Sequence, residues 1–356
     1  MSAPAMTPDA SLTRLLDRVA SGRHLSAQEA ETVFDHFMGG TAAPAQMAGF
    51  LVGMRAKGIQ PSEVAGGVRA LRKAMVPVHV SDPASLVDTA GTGGGRIATF
   101  NISTAAALVA AGAGVRIAKH GNRSFTSRSG SADVLEALGV RIDLTPEGMA
   151  QVLEEVGIVF MFAPLLHPAM RHVAPVRREL GVTTVMNLLG PLTNPAGARR
   201  QVVGVADPAF VGLVVRALAE LGHLRALVVH GAPGLDEISP MGHTRVAELS
   251  EEGIREYDIR PRDLGADDTF LEGLRGGEPE DNARIILDVL EGAKGAPRNA
   301  TILNAAAAIY VGGAAPTLRD AAEMAAATLE SGAAARVLER LREASTRIGA
   351  GEDPGG

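Results

Sequence analysis

Two stretches of this 356-residue chain hold anion-binding residue types at spacings that bring them together. The first runs Asp88-Thr-Ala-Gly-Thr-Gly-Gly-Gly-Arg-Ile-Ala-Thr-Phe-Asn-Ile-Ser-Thr104. Its glycines at 91, 93, 94 and 95 let backbone N–H groups approach an anion without side-chain interference. A helix starting near Asn101 adds the partial positive charge of its N-terminus. Ser103 and Thr104 at such a start either satisfy orphan N–H groups or hold a phosphate or metal. The second stretch runs Lys119-His-Gly-Asn-Arg-Ser-Phe-Thr-Ser-Arg-Ser-Gly-Ser131, placing Lys119, His120, Arg123 and Arg128 beside a row of hydroxyls. A solvated loop has no need of that density, so an anion cradle is the preferred reading. Two such loops in tandem imply a ligand with more than one phosphate group. The glycines fit neither a Walker loop, which needs Gly-Lys-Ser/Thr, nor a dinucleotide fingerprint.

Three smaller features join them. Asp236-Glu237 follows a short β-prone run, where open α/β sheets place ligand chemistry. Mg²⁺ favours such carboxylates together with phosphate oxygens and water. Arg177-Arg178 lies on a helical stretch, and an arginine there directed into a cleft would clamp a carboxylate, although helix arginines are usually solvated. His167, before Pro168, reads first as a structural histidine.

The elements that must carry these residues follow from composition and pattern. The length favours two lobes, and 46% hydrophobic with 21% charged residues fits a folded chain. A net charge of −6 argues against a generally basic nucleic-acid surface, so any anion site must be a local pocket. With no cysteine, disulfides, thiol nucleophiles and Cys-ligated zinc are excluded. No secretory pattern or uninterrupted apolar span occurs, which makes a cytoplasmic protein without membrane contact the expectation.

Residues 1–78 read as a helical lobe. Leu12, Leu15, Leu16 and Val19 recur at helical spacing, Ser26-Ala-Gln-Glu29 has the capping-box form, and Pro44 and Pro61 suit helix starts. From Ser85 the pattern alternates. Strands are expected at 85–89, 115–118, 158–163, 201–205 and 226–230, with helices near 103–112, 131–138, 146–156 and 208–221. That alternation predicts an α/β lobe over 79–348 with a mostly parallel sheet flanked by helices. Residues 170–196 interrupt it and are expected to pack on the helical lobe. A hairpin is expected across Ser250-Glu-Glu-Gly253, and a flexible tail over 349–356.

Taken in order, several motifs resemble the anthranilate phosphoribosyltransferase family. They are Asp88-x-x-Gly-Thr-Gly-Gly, Thr99-Phe-Asn-Ile-Ser-Thr104, Lys119-His-Gly-Asn-Arg123, Ser129-Gly-Ser-Ala-Asp-Val-Leu-Glu-Ala-Leu-Gly139, Asn187-Leu-Leu-Gly-Pro-Leu-Thr-Asn-Pro195 and Gly234-Leu-Asp-Glu237. The resemblance spans about 10–346. It implies a small helical lobe hinged to an α/β lobe, the architecture of nucleoside phosphorylases and phosphoribosyltransferases, with homodimers formed through the helical lobes. It implies transfer of a phosphoribosyl group from phosphoribosyl pyrophosphate (PRPP) to the amine of anthranilate, in tryptophan biosynthesis. PRPP would be held by Gly91, Gly94, Gly95, Thr99, Asn101, Ile102, Ser103, Thr104, Lys119, His120, Gly121, Asn122, Arg123, Ser124, Phe125, Thr126, Ser127 and Ser131. Lys119 and Arg123 would stabilise the departing charge. Gly91, Asn122, Arg177 and His167 would meet anthranilate, with Arg177 at its carboxylate. Ser103, Asp236 and Glu237 would hold Mg²⁺, as two ions.

The chain departs from the family pattern twice. Gly95 stands where Asp is usual, and Thr183 where Arg is usual. Neither removes a group on which the transfer depends. Two other readings of this architecture fit less well. A pyrimidine nucleoside phosphorylase should carry a Lys-x-Ser-x-x-Arg-like site whose context is missing, and a nucleic-acid-binding relative should present a basic groove.

Overall fold

The computed structural model describes residues 10–93, 97–124 and 128–352. The chain divides into two compact units, with boundaries at Met75/Val76, Leu166/His167 and Thr193/Asn194. One unit joins the N-terminal helices to residues 167–193, and the other contains the seven strands of the described residues.

The helical unit is built on Ala10–Ala20, Ala27–Met38, Pro44–Lys57 and Pro61–Ala74. Ser26 and Glu29 form the capping box, the Glu29 N–H reaching Ser26 Oγ at 3.3 Å and the Ser26 N–H reaching Glu29 Oε2 at 2.9 Å. Phe34, Phe37 and Phe50 are fully buried and meet edge to face at 5.4–5.6 Å, a packing that favours aromatic quadrupoles. Glu63 is buried but satisfied, accepting from Lys57 Nζ at 2.6 Å and from the N–H groups of Leu25 and Gln60.

The α/β unit holds β1 (Val87–Gly91), β2 (Ile117–Gly121), β3 (Ile158–Phe162), β4 (Arg200–Gly204), β5 (Arg225–Gly231), β6 (Thr244–Ser250) and β7 (Gly253–Ile259). They form one sheet ordered β3-β2-β1-β4-β5-β6-β7. The first five run parallel, and β6 and β7 add the hairpin, with Ser250 opposite Gly253. The strand order reverses between β1 and β4. At such a switch point adjacent crossovers lie on opposite faces, leaving a crevice at the strands' C-terminal ends. Helix Ile102–Gly112, almost wholly buried, packs on the alanine-rich helix Ala296–Gly312, whose small side chains allow close approach.

Two expectations are corrected. The second strand reaches Gly121, so Lys119 and His120 belong to β2 and not to a loop; parallel pairing with Phe160 and Met161 of β3 holds them there. The expected tail over 349–356 is helical through Glu352, in Ala333–Glu352, because the Glu352 carboxylate accepts from the Thr145 N–H at 3.0 Å and hydroxyl at 2.5 Å. Residues 353–356 lie outside the described residues. Among the described residues no helix is long and apolar enough to cross a membrane.

Candidate active site at the switch point

Four parallel strands end in glycine: Gly91, Gly121, Gly204 and Gly231. The segment Asp236-Glu237 folds back over three of these ends. A Cβ on Gly91 would stand 2.8 Å from Asp236 Oδ2, and one on Gly204 or Gly231 would collide with the backbone carbonyl of Asp236 or Glu237. Hydrogen alone at these positions lets the acid pair lie directly on the sheet edge.

Lys119 rises from β2 into the same place. Its side chain is buried, and Nζ donates to the Thr89 carbonyl at 2.6 Å and to Ser103 Oγ at 3.3 Å. Burial lowers its pKa, opposed by the charges of Asp88 and Glu237. Ser103, in the first turn of Ile102–Gly112, passes the contact on, since its N–H and hydroxyl both act to lower the pKa of Glu237. Glu237 is pushed up to about 8, first by burial and then by neighbouring Asp236, against the pull of Lys119. Burial raises Asp236 as well, although the Gly93 backbone pulls its pKa down. Behind them Asp88 is pushed up to about 6 by burial, relieved in part by Asn194, Lys119 and the His120 N–H. That N–H lies 3.1 Å from Asp88 Oδ1.

Three desolvated acids beside one buried lysine leave a deficit of positive charge, and adjacent carboxylates do not ionise together without a cation. This donor set fits a divalent ion. Among the described residues no group of three or more His, Asp or Glu could enclose one. A hard cation completed by ligand oxygens and water suits two carboxylates and a hydroxyl, which is the habit of Mg²⁺.

The second loop is fastened at its base by Asp133. Its carboxylate accepts from the N–H groups of Gly130 at 2.8 Å and Ser124 at 3.2 Å. The Asn122 carbonyl accepts from the Ala132 N–H and the Ser131 hydroxyl. Arg123 is not brought to Lys119: its guanidinium pairs with Asp133 at 2.8 Å and Glu136 at 2.5 Å and lies over the Phe162 ring. Thr99 bridges to Arg275, and the buried Thr104 hydroxyl has no partner among the described residues. Ile102 is buried in the core. Gly94, Gly95, Phe125, Thr126 and Ser127 lie outside the described residues.

In the helical unit, Arg177 stands on the short helix Ala174–Leu180. Burial lowers its pKa, and among the described residues no carboxylate opposes that effect. His167 is buried and held near 4 by desolvation, so it is neutral at pH 7, with a bond to the Thr193 carbonyl acting the other way. The Thr183 carbonyl accepts from Arg55 at 2.6 Å.

Sequence reasoning gave no part to Thr89, Asn194 or Asn282. Asn194 lies in the Asn187–Pro195 motif, where it could have been found; it donates to the Ala118 carbonyl at 2.8 Å. Asn282 carries no sequence signal, yet it donates to Asn101 from 181 residues away.

A helical bundle, and an α/β sheet whose switch point holds Lys119, Ser103 and an acid pair, are the two parts of a glycosyl transferase. Residues 13–75 match the glycosyl transferase family helical bundle domain, and residues 83–335 match the glycosyl transferase family a/b domain. The chain is similar to the anthranilate phosphoribosyltransferase of Rubrobacter xylanophilus, 52% identical over 95% of this chain and 98% of that one. It resembles the crystal structure of the enzyme of that name from Thermus thermophilus, with TM-score 0.89 and 44% identity over 93% and 99% of the two chains. It also resembles the Saccharomyces cerevisiae enzyme in complex with PRPP and Mg, with TM-score 0.87 and 26% identity over 96% and 99%. The chain belongs to the anthranilate phosphoribosyltransferase family.

Proposed function

We propose that this enzyme transfers the phosphoribosyl group of PRPP to the amine of anthranilate, giving N-(5-phosphoribosyl)anthranilate and pyrophosphate in tryptophan biosynthesis. The observation that carries this reading is the desolvated run Lys119–Ser103–Glu237–Asp236 at the switch point. The bond from the anomeric carbon to pyrophosphate breaks, a bond to nitrogen forms, and the amine releases a proton to solvent. The anthranilate amine is neutral at pH 7, so no general base is required.

Gly91, Gly94, Gly95, Thr99 and the segment Asn101–Thr104 hold the donor from one side. Lys119 to Ser127 and Ser131 hold it from the other. Lys119 sets the Ser103 hydroxyl and opposes the charge that develops on pyrophosphate, as electrostatic catalysis requires. Arg123 serves the same charge once it leaves Asp133 and Glu136. Ser103, Asp236 and Glu237 would hold Mg²⁺, as two ions, which when bound neutralises pyrophosphate oxygens. The support is the surplus of desolvated carboxylate and the Mg found with the yeast enzyme. Gly91, Asn122, Arg177 and His167 are the residues that meet anthranilate in this reading. An uncompensated Arg177 suits the carboxylate of the acceptor, and a neutral His167 suits its apolar ring.

The enzyme works in the cytoplasm as a homodimer through its helical unit, where Val52 and Val182 are exposed apolar side chains. The transfer is tested by following the fluorescence of anthranilate with PRPP and Mg²⁺. A decay requiring both is expected, and a steady signal would overturn the reading.

A further inference from the structure

We infer that Asn282 is a positioning residue for the donor site: through Asn101 it fixes the spacing of the two phosphate-holding loops and keeps the end of helix Ile102–Gly112 open to Glu237. This rests on the donor reading above. Asn282 lies on the helix Pro279–Leu290 and is 2% exposed.

Its amide is oriented by its neighbours. The Gly277 N–H, which can only donate, meets Asn282 Oδ1 at 2.8 Å. Asn282 Nδ2 therefore faces Asn101, donating to Oδ1 at 2.9 Å. That leaves Asn101 Nδ2 to donate to the Ser129 carbonyl at 3.2 Å, a group that can only accept. A backbone donor at one end and a backbone acceptor at the other set both amides in one sense. The relay ends on the second loop, whose Ser129 hydroxyl returns a bond to Asn101 Oδ1 at 3.2 Å.

The diversion matters because Asn101 is the N-cap of Ile102–Gly112 and makes no side-chain capping bond. An asparagine there ordinarily accepts from the second or third helical N–H. The second is that of Ser103, which lies toward Glu237 and lowers its pKa. With its oxygen occupied by Asn282 and Ser129, Asn101 does not compete with the acid pair for that N–H. The backbone before Asn282 supports the same stretch. The Phe100 N–H donates to the Leu274 carbonyl at 3.0 Å, and a Cβ on Gly276 would press into Thr99 and Phe100.

The test uses Asn282→Ala, Asn282→Asp, Asn101→Ala and the double alanine variant of the full chain. PRPP affinity is read by calorimetry with Mg²⁺, alongside both KM values and Tm. Asn282→Asp keeps the acceptor for Gly277 and loses only the donor; Asn282→Ala loses both without adding charge. Each should weaken PRPP binding about tenfold, the scale of one buried hydrogen bond, with acceptor KM within about twofold. The double variant should bind no worse than Asn101→Ala, since Asn282 acts through Asn101. Wild-type PRPP affinity in Asn282→Ala with a lowered Tm, or losses that multiply in the double variant, would overturn the inference. A wild-type chain that binds PRPP without transferring to anthranilate would defeat the transferase reading alone, because calorimetry still reports on Asn282. A wild-type chain that does not bind PRPP would defeat both.

Discussion

In the α/β unit three desolvated acids, Asp88, Asp236 and Glu237, are accompanied by one buried lysine, whereas in the helical unit Arg177 and His167 are desolvated with no carboxylate among the described residues opposing the effect. The helical unit does pair charge where only structure is at stake, as Lys57 and Glu63 do at 2.6 Å. Imbalance is not confined to the groups assigned to ligands: Arg72 of the helical unit is desolvated as well, its guanidinium donating to the Leu192 carbonyl at 2.9 Å. One unit lacks positive charge and the other lacks negative charge, which matches a metal-bound polyanion for the first and a carboxylate for the second. Burying charge without a partner costs stability, so each unit holds its imbalance only because packing fixes it.

The largest effect should come from removing the acid surplus. Asp236→Asn with Glu237→Gln should lower Mg²⁺-dependent turnover by at least about 10²–10³-fold, the scale of a lost electrostatic stabiliser. Tm should hold or rise, because uncompensated carboxyls are gone. Turnover and Mg²⁺ dependence like those of wild type would end the metal assignment. On the other side, Arg177→Ala should raise the KM of anthranilate and spare that of PRPP, by about 1.5–3 kcal/mol for a charge-assisted contact. Movement of the PRPP constant instead would reassign Arg177.

The two units should also answer pH in opposite senses. Glu237 in the folded state sits near 8 against an ordinary 4.5, so the native protein retains a proton that the unfolded chain has lost. Its contribution is complete below pH 4.5 and disappears as pH rises through about 8; Asp88, pushed up to about 6, adds to that limb. His167 sits near 4 against an ordinary 6.5, so its contribution is present above pH 6.5 and is lost as pH falls through about 4. Urea midpoints of the metal-free protein across pH should therefore decline at both ends. Glu237→Gln should flatten the alkaline limb above about pH 6, where Asp88 no longer contributes, and His167→Gln the acid limb. Either limb surviving its own substitution would refute the corresponding cause. The smallest effect belongs to Gly95→Asp, which adds a carboxylate at a position proposed to hold PRPP. It should shift the Mg²⁺ optimum and slow a loop or release step, with little change in acceptor affinity. Superimposable Mg²⁺ profiles of the two forms would make Gly95 a neutral replacement.

The parts of this site carried by short motifs were legible in the sequence. Ser103 and the pair Asp236-Glu237 announce themselves by type and by their place after apolar runs, and the structure brings them to one point with Lys119. The β-strand pattern was readable too, because alternating apolar runs and helical periods leave few arrangements. Partners at a distance were not. Arg123 read as an anion-holding partner of Lys119 because nothing in its own loop shows that Asp133 and Glu136, in the first and second turns of the next helix, take its charge. Lys119 read as a loop residue because a polar Lys-His pair hides a strand end that only pairing with β3 reveals. Glycines at 349 and 351 suggested a tail, while the contact holding them helical comes from Thr145, far earlier in the chain.

The glycine ends of β1, β2, β4 and β5 have a consequence for how this enzyme can change over generations. A floor made of peptide planes offers selection almost nothing to vary, since any larger residue meets the acid-pair segment or, at Gly121, the side chains of Ser131 and Phe160. New acceptors must be won in the loops above it or on the helical unit. In a saturation library these four positions should remain nearly blank while their surroundings diversify, making the sheet edge a fixed datum against which the rest of the site is free to move.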